Sequence, residues 1–169
     1  MVTSQPAEQA REIEQDGLVD ALVQAAFATM AVLNKAGADN DLSLTQLRVL
    51  AILRDRRLRM TALADYLGLE KSTMTGLVDR AEKRGLLQRA PNASDGRAVD
   101  VFLSSDGAEL AERLYTHIGR SLSPMTNELA PTEQRQLQIL LERMLGPRGS
   151  YYRCAIAARP TRKEAWHER

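Results

Sequence analysis

Between Lys71 and Arg97 the chain gathers side chains that hold phosphates and base edges rather than side chains that make or break covalent bonds. Met74, Leu77, Val78 and Ala81 recur at 3.6-residue spacing, which predicts a helix over about Glu70 to Arg84 with one apolar face. Its opposite face carries Ser72, Gly76, Asp79, Arg80 and Lys83, with Lys71 and Thr73 at the N-terminal shoulder and Thr75 on a flank. Short hydroxyls can meet bases or phosphates, and Arg80 is placed for a phosphate. Gly76 lowers helix stability by about 1 kcal/mol relative to Ala, which makes sense where a surface must come close to a groove. Farther along, Arg97 is expected at the tip of a hairpin beside Asp95-Gly96. An arginine on a narrow ribbon can enter a minor groove, where negative potential is deepest, and Asp95 can bridge its guanidinium. The candidate DNA-contacting residues are therefore Lys71, Ser72, Thr73, Thr75, Gly76, Arg80, Asp95 and Arg97. Each group also has a plainer reading, as the solvated side of a small helix and as a common exposed turn.

Other chemistries find little material. There is no nucleophile–base constellation, no phosphate loop and no metal set, so the chain is not read as an enzyme and no cofactor is expected. Cys154 is the single cysteine and only His117 and His167 accompany it, which leaves neither a disulfide framework nor a Cys/His zinc site. One cysteine fits a reducing cytoplasm, and Glu8, Glu12, Glu14 and Asp16 stand where a signal peptide would be basic. Apolar stretches such as Ala25 to Leu33 are interrupted by polar residues and read as too short for a bilayer, so no membrane partner is expected. The net charge of +1 hides a division along the chain. Residues 54–97 hold 10 basic and 6 acidic side chains, whereas residues 1–53 hold 3 and 7 and residues 98–145 hold 4 and 7. Positive charge thus collects where a polyanion needs it.

The elements that must position these residues follow from periodicity and caps. Residues 8–36 read as one helix, with Leu18, Leu22, Ala26 and Met30 four apart and Val19, Val23 and Phe27 beside them, closed by Gly37. That stripe is wider than one neighbouring helix requires. Ser43-Leu44-Thr45-Gln46 fits a capping box opening a helix with Leu47, Val49, Leu50, Ile52 and Leu53. Thr61 is expected to cap a short helix from Ala62 to Leu67, and Gly68 to make the sharp turn before the helix at Glu70. Gly85 ends that helix with a left-handed cap. Leu86 to Ala90 and Ala98 to Leu103 are strand-like, with turn residues at Asn92, Ser94 and Asp95-Gly96. Ser104 or Ser105 caps a helix from about Asp106 to Glu128, in which Pro124 should cause a kink or break. A last helix starts at Pro131 and ends before Gly146-Pro147, and the Arg-rich tail is read as an arm that either touches DNA or is disordered.

The fold class is therefore mainly α: a winged helix-turn-helix with a small β-hairpin wing, flanked by N- and C-terminal dimerisation helices. Its units are residues 8–41 (first dimerisation helix), 42–104 (DNA-binding unit), 105–145 (C-terminal dimerisation helices) and 146–169 (basic arm).

Together these residues resemble the MarR family of bacterial regulators, closely from about Leu42 to Gly107. The most specific part is Asp95-Gly96-Arg97 followed by Val99, Leu103, Ser104 and Gly107, similar to the family's wing signature. The run Leu77-Val78-Asp79-Arg80 with Gly85-Leu86 is similar to the end of the family's reading helix. The resemblance implies a homodimer joined through its first and last two helices, in which each reading helix enters a major groove and each wing arginine the adjacent minor groove. It further implies a sequence-specific transcription regulator on a pseudopalindromic double-stranded operator, a repressor released by a small phenolic or anionic effector. Phe27, Tyr66, Tyr115 and His117 are the candidate pocket residues. Residues 8–36 contain no cysteine, which disfavours thiol-based sensing there. Glu70 stands where a capping Ser is frequent in the family, and Gly76 where a longer, often basic, side chain is. The alternative function is a winged-helix protein-interaction module without duplex affinity, suggested by the acidic pair Glu70 and Asp79.

Overall fold

The computed structural model describes residues 5–146, with side chains described from residue 17 onward. The expectations for Cys154, His167 and the basic arm therefore lie outside the described residues. Helix α1 (Gln5–Ala38) is about 50 Å long at 1.5 Å per residue. It is followed by α2 (Leu44–Leu53), β1 (Leu58–Arg59), α3 (Met60–Leu67), α4 (Lys71–Lys83), β2 (Leu87–Asn92), β3 (Asp95–Leu103), α5 (Ser105–Asn127) and α6 (Pro131–Leu145).

The core gathers where α2, α3 and α4 meet the sheet and the first turns of α5. Val49, Leu63, Met74, Val78, Leu87 and Val101 are its most deeply buried large side chains. The apolar face expected of α4 is buried in full, at Met74, Leu77, Val78 and Ala81. The capping box forms as its sequence predicts. The Gln46 amide donates to Ser43 Oγ at 3.2 Å, and the Ser43 amide donates to Gln46 Oε1 at 2.9 Å. Gly68 and Gly85 both take positive φ, at 64° and 71°, and so end α3 and α4. Arg84 then fastens the end of α4 to the α1–α2 loop, donating to the carbonyls of Asp41 at 2.6 Å and Asn40 at 3.1 Å.

The sheet is antiparallel in the order β1-β3-β2. Strand β1 is too short to announce itself in sequence, but Leu58 pairs with Val101 and Arg59 with Asp100. Its formation moves the start of α3 back to Met60. Thr61 consequently lies inside the first turn rather than at the cap, which is Arg59 without a side-chain bond. The hairpin is longer than expected. Asn92 pairs with Asp95, so its tip is Ala93-Ser94, and Arg97 stands inside β3 rather than at the tip. An irregularity in register between Pro91 and Asn92 suits a proline with no N–H to give to the ladder.

The wing signature is structural at its far end. Ser104 caps α5 by accepting from the Gly107 amide at 2.9 Å, its hydroxyl donates to the Gly85 carbonyl, and its own amide donates to the Leu86 carbonyl at 3.1 Å. Gly37 does not close α1, which runs on to Ala38. Its lack of a side chain admits the loop instead, because a Cβ there would lie 2.7 Å from the Leu42 carbonyl oxygen. Pro124 does not break α5 either. The carbonyl of Arg120, which a residue at 124 with an N–H would have bonded, accepts from Ser123 Oγ at 2.8 Å instead.

Outside this core the apolar surface is bare. Leu18 is 70% and Phe27 66% exposed on α1, and no residue of α6 is buried although Leu137, Ile139, Leu140, Leu141, Met144 and Leu145 are all apolar. The segment Gly17–Ala38 is, by length and composition, long and apolar enough to cross a membrane. This corrects the shorter span taken from sequence: only Asp20 and Lys35 carry charge within it, and the scattered Thr, Gln and Asn do not offset the rest. Continuous apolar faces of this size on helices mark a protein or membrane partner.

Candidate nucleic-acid interface

Helix α4 stands with its apolar face on the core and its polar face free. Lys71, Ser72, Thr73, Thr75 and Arg80 are exposed and Gly76 is half-exposed. Glu70 makes no side-chain cap, so the first-turn amides of α4 are left to an outside acceptor, for which a phosphate oxygen is well suited. Thr75 differs from its neighbours because its hydroxyl proton is committed to the Lys71 carbonyl at 2.8 Å. Outward it offers a methyl group and lone pairs. It has no proton left for a phosphate.

Gly76 has room for a methyl group within the chain. A Cβ there would meet only the end of the Arg80 side chain, at the ordinary contact distance of 3.5 Å. Nothing inside the protein therefore calls for glycine at this position. Gly76→Ala is expected to raise stability by about 0.5–1 kcal/mol in thermal unfolding and yet to weaken duplex binding in a gel shift. Tighter binding by the alanine variant would remove Gly76 from the contact surface.

An open cleft separates α4 from the wing. It is lined by Lys71 and Thr75 of α4, Arg97 of β3, Arg59 and Arg89 of the strands, and Thr61 of α3. Of the sequence candidates, Lys71, Thr75 and Arg97 are thus brought together, and Ser72, Thr73, Gly76 and Arg80 lie on the neighbouring face of α4. Among the described residues, no side-chain partner holds Arg80 or Arg97. Asp95 acts otherwise than expected. It accepts the backbone amide of Arg97 at 3.2 Å, and its carboxylate faces Arg59 at 3.6 Å rather than the Arg97 guanidinium. Arg59 also reaches Asn92 Oδ1 and Ser94 Oγ, each at 3.4 Å, and Asn92 donates to both carboxylate oxygens of Asp100 at 2.8 and 3.0 Å. The wing tip is thereby tied to β1 and Arg97 is left free.

Two basic residues escaped the sequence reading. Arg59 was hidden because β1 was. Arg89 lies on β2 against the flank of α4, with Nη2 2.6 Å from Asp79 Oδ1 and 3.3 Å from the Thr75 carbonyl, and Nη1 3.2 Å from Glu82 Oε2. The signal for it was present: two acids three residues apart on a helix in a basic segment need a counter-charge, and Arg89 is the first cation on the strand that follows.

The pocket candidates separate. An apolar crevice lies between α1, α2 and α5, lined by Leu33, Leu47, Leu50, Ala111, Leu114 and Ile118 with Tyr115 and Arg54 at its edge. The Arg54 guanidinium sits 3.7 Å from the centre of the Tyr115 ring. Only Tyr115 of the four expected residues belongs to this crevice. Phe27 is exposed on α1, Tyr66 is half-buried on α3, and His117 lies on another flank of α5 among Glu109, Arg113 and Arg120. Among the described residues no group of His, Cys, Asp and Glu side chains could hold a metal ion.

The model of the MarR family matches residues 40–98. The multiple antibiotic resistance protein MarR of Salmonella typhimurium is 30% identical over 116 residues, which cover 68% of this chain and 81% of that protein. The homoprotocatechuate degradative operon repressor of Escherichia coli is 27% identical over 131 residues, covering 77% and 88%. Among solved structures, a mutant MarR from E. coli complexed with operator DNA superposes with a TM-score of 0.60 at 26% identity, covering 80% of this chain and 96% of that one.

Proposed function

The chain belongs to the MarR family of transcription regulators, and from that premise we propose that it acts as a homodimer gripping a pseudopalindromic operator. The reading rests above all on the cleft, where cations on two separate elements, Lys71 on α4 and the unpaired Arg97 on β3, line one open groove with Thr75, while Arg80 stands exposed on the neighbouring face of α4. Helix α4 occupies the major groove through Lys71, Ser72, Thr73, Thr75 and Gly76, and Arg80 takes a phosphate. Arg97 enters the minor groove, with Asp95 fixing its backbone. Residues 42–104 are the DNA-binding unit, and residues 8–41 and 105–145 pair the two copies. The bare apolar faces of α1 and α6 support that pairing, because a second copy covers both without recourse to a bilayer.

The regulator is a repressor, acts in the cytoplasm, and is released by a small phenolic or anionic molecule. The relative that represses a homoprotocatechuate operon supports this reading, as does an apolar crevice whose edge carries one arginine and one tyrosine. The competing reading as a protein-interaction module loses its main support, since Asp79 is neutralised within the chain and only Glu70 remains bare.

Gel shifts on duplexes selected from the host genome, at two salt concentrations, test the proposal. Binding should fall steeply with salt, and Arg80→Ala should reduce the slope of log affinity against log salt by about 0.9, the share of one phosphate contact. Arg97→Ala should weaken binding about tenfold, the scale of one lost groove contact. Parent-like binding by both variants would show that the duplex lies elsewhere.

A further inference from the structure

Two cations of the cleft are already occupied: Arg59 is turned to the wing tip, and Arg89 is turned to the reading helix itself. The Arg89 guanidinium contacts Asp79 Oδ1 at 2.6 Å, Glu82 Oε2 at 3.2 Å and the Thr75 carbonyl at 3.3 Å. Its side chain is 26% exposed, against 46% for Asp79 and 33% for Glu82. On a 3.6-residue helix Asp79 falls between Ser72, Gly76 and Lys83, so its carboxylate belongs to the same surface as the proposed base contacts. Glu82 lies with Thr75 and Lys71 on the flank turned to the wing. A helix that meets a phosphate-lined groove with two bare carboxylates would be repelled by it. Arg89 approaches both from β2, a rigid strand behind them.

Resting on the DNA-binding reading above, we propose that Arg89 serves operator binding from within the protein, by cancelling Asp79 and Glu82 on the DNA side of α4 rather than by touching a phosphate. Arg89 is thus a positioning residue for charge. Its guanidinium is suited to this because its planar fork satisfies two carboxylates and a carbonyl at once, which an ammonium group does not match. The wing strand supplies the compensation and the reading helix the need, so the two elements must be docked for α4 to carry the right charge.

The test combines three variants with duplexes recovered from genomic fragments on the parent protein. Arg89→Met keeps the aliphatic stem and is expected to weaken binding about tenfold at low salt, with a smaller loss at 0.15 M and above, where charges are screened beyond about 8 Å. Adding Asp79→Asn and Glu82→Gln to it should restore binding to within about threefold of the parent. The pair Asp79→Asn, Glu82→Gln with Arg89 intact should bind at least as tightly as the parent. Circular dichroism and unfolding of each variant follow the fold separately. Rescue larger than the gain the same carboxylate changes give with Arg89 intact is the readout that neither a phosphate contact nor a scaffolding role would produce; equal gains in the two backgrounds overturn the inference. An Arg89→Met loss that persists in the triple variant overturns the inference, as does parent-like binding by Arg89→Met itself. Should Arg89→Met fail to fold, the pair with Arg89 intact decides, and a large loss of affinity in it overturns the inference. A parent chain that retains no duplex at any salt removes the DNA-binding reading and this inference together.

Discussion

Gly107→Ala is expected to destabilise the protein by about 3 kcal/mol, near the upper end for a single overpacking change. A Cβ at this position would sit 1.9 Å from the Leu86 carbonyl oxygen and 2.9 Å from its carbonyl carbon, well inside contact distance. The obstruction is backbone, so no rotamer change relieves it. Nor can the carbonyl retreat freely, because it accepts the Ser104 amide at 3.1 Å while Ser104 caps α5 through the Gly107 amide at 2.9 Å. Moving α5 outward would part Leu110, Ala111 and Leu114 from the core. Thermal unfolding at one fixed protomer concentration should show a fall of roughly 10 °C. A variant melting within a degree or two of the parent would mean that the α5–β2 junction is slacker than its geometry. Compared with Gly76→Ala, which should raise stability, the two alanines separate a glycine required by the chain from a glycine required by its ligand.

The second large effect concerns assembly. Leu137→Glu with Leu141→Glu on α6 should convert the protein to a folded monomer and reduce operator binding by at least a hundredfold. Both leucines are substantially exposed in the single chain, so the substitutions remove little from its own core. Each places a charge where the proposed partner would bury it, and an unpaired buried charge costs several kcal/mol. A monomer still carries one reading helix and one wing. It forfeits the second set, whose binding is effectively intramolecular once the first is engaged. Sedimentation gives the mass, circular dichroism the helix content and gel shift the affinity. A double variant that stays dimeric would show that α6 is not in the interface.

Much of this was legible in the chain because it depends on local rules. The apolar spacing of α4, the Ser43–Gln46 box, the left-handed glycines at 68 and 85 and Pro131 at a helix start each follow from neighbours within a few residues. What escaped depended on partners distant in sequence. Strand β1 has two residues and exists only because β3 pairs with it. Once it forms, Arg59 stands 3.6 Å from Asp95, 36 positions later, and the carboxylate expected to hold Arg97 is diverted. The hairpin tip is Ala93-Ser94 for a similar reason: Asp95-Gly96 is a turn dipeptide by local rules, but the β2–β3 register places it in the strand. Pro124 misled because its missing donor is replaced by Ser123, a compensation that a rule about proline alone does not contain. For the site, the candidates on α4 came from helical periodicity alone and lie outside its buried stripe, whereas Arg89 belongs to another element and is visible only through its contacts with Asp79 and Glu82.

The central claim is that paired chains present α4 and the Arg97 wing to successive grooves of one duplex. Hydroxyl-radical footprinting of a selected operator, with the parent and with Arg97→Ala, tests it most directly. Two protected blocks related by two-fold symmetry and centred about 10 base pairs apart are expected, with outer protections that vanish in Arg97→Ala while the inner ones remain. A single block, or outer protections unchanged by loss of Arg97, would contradict the claim.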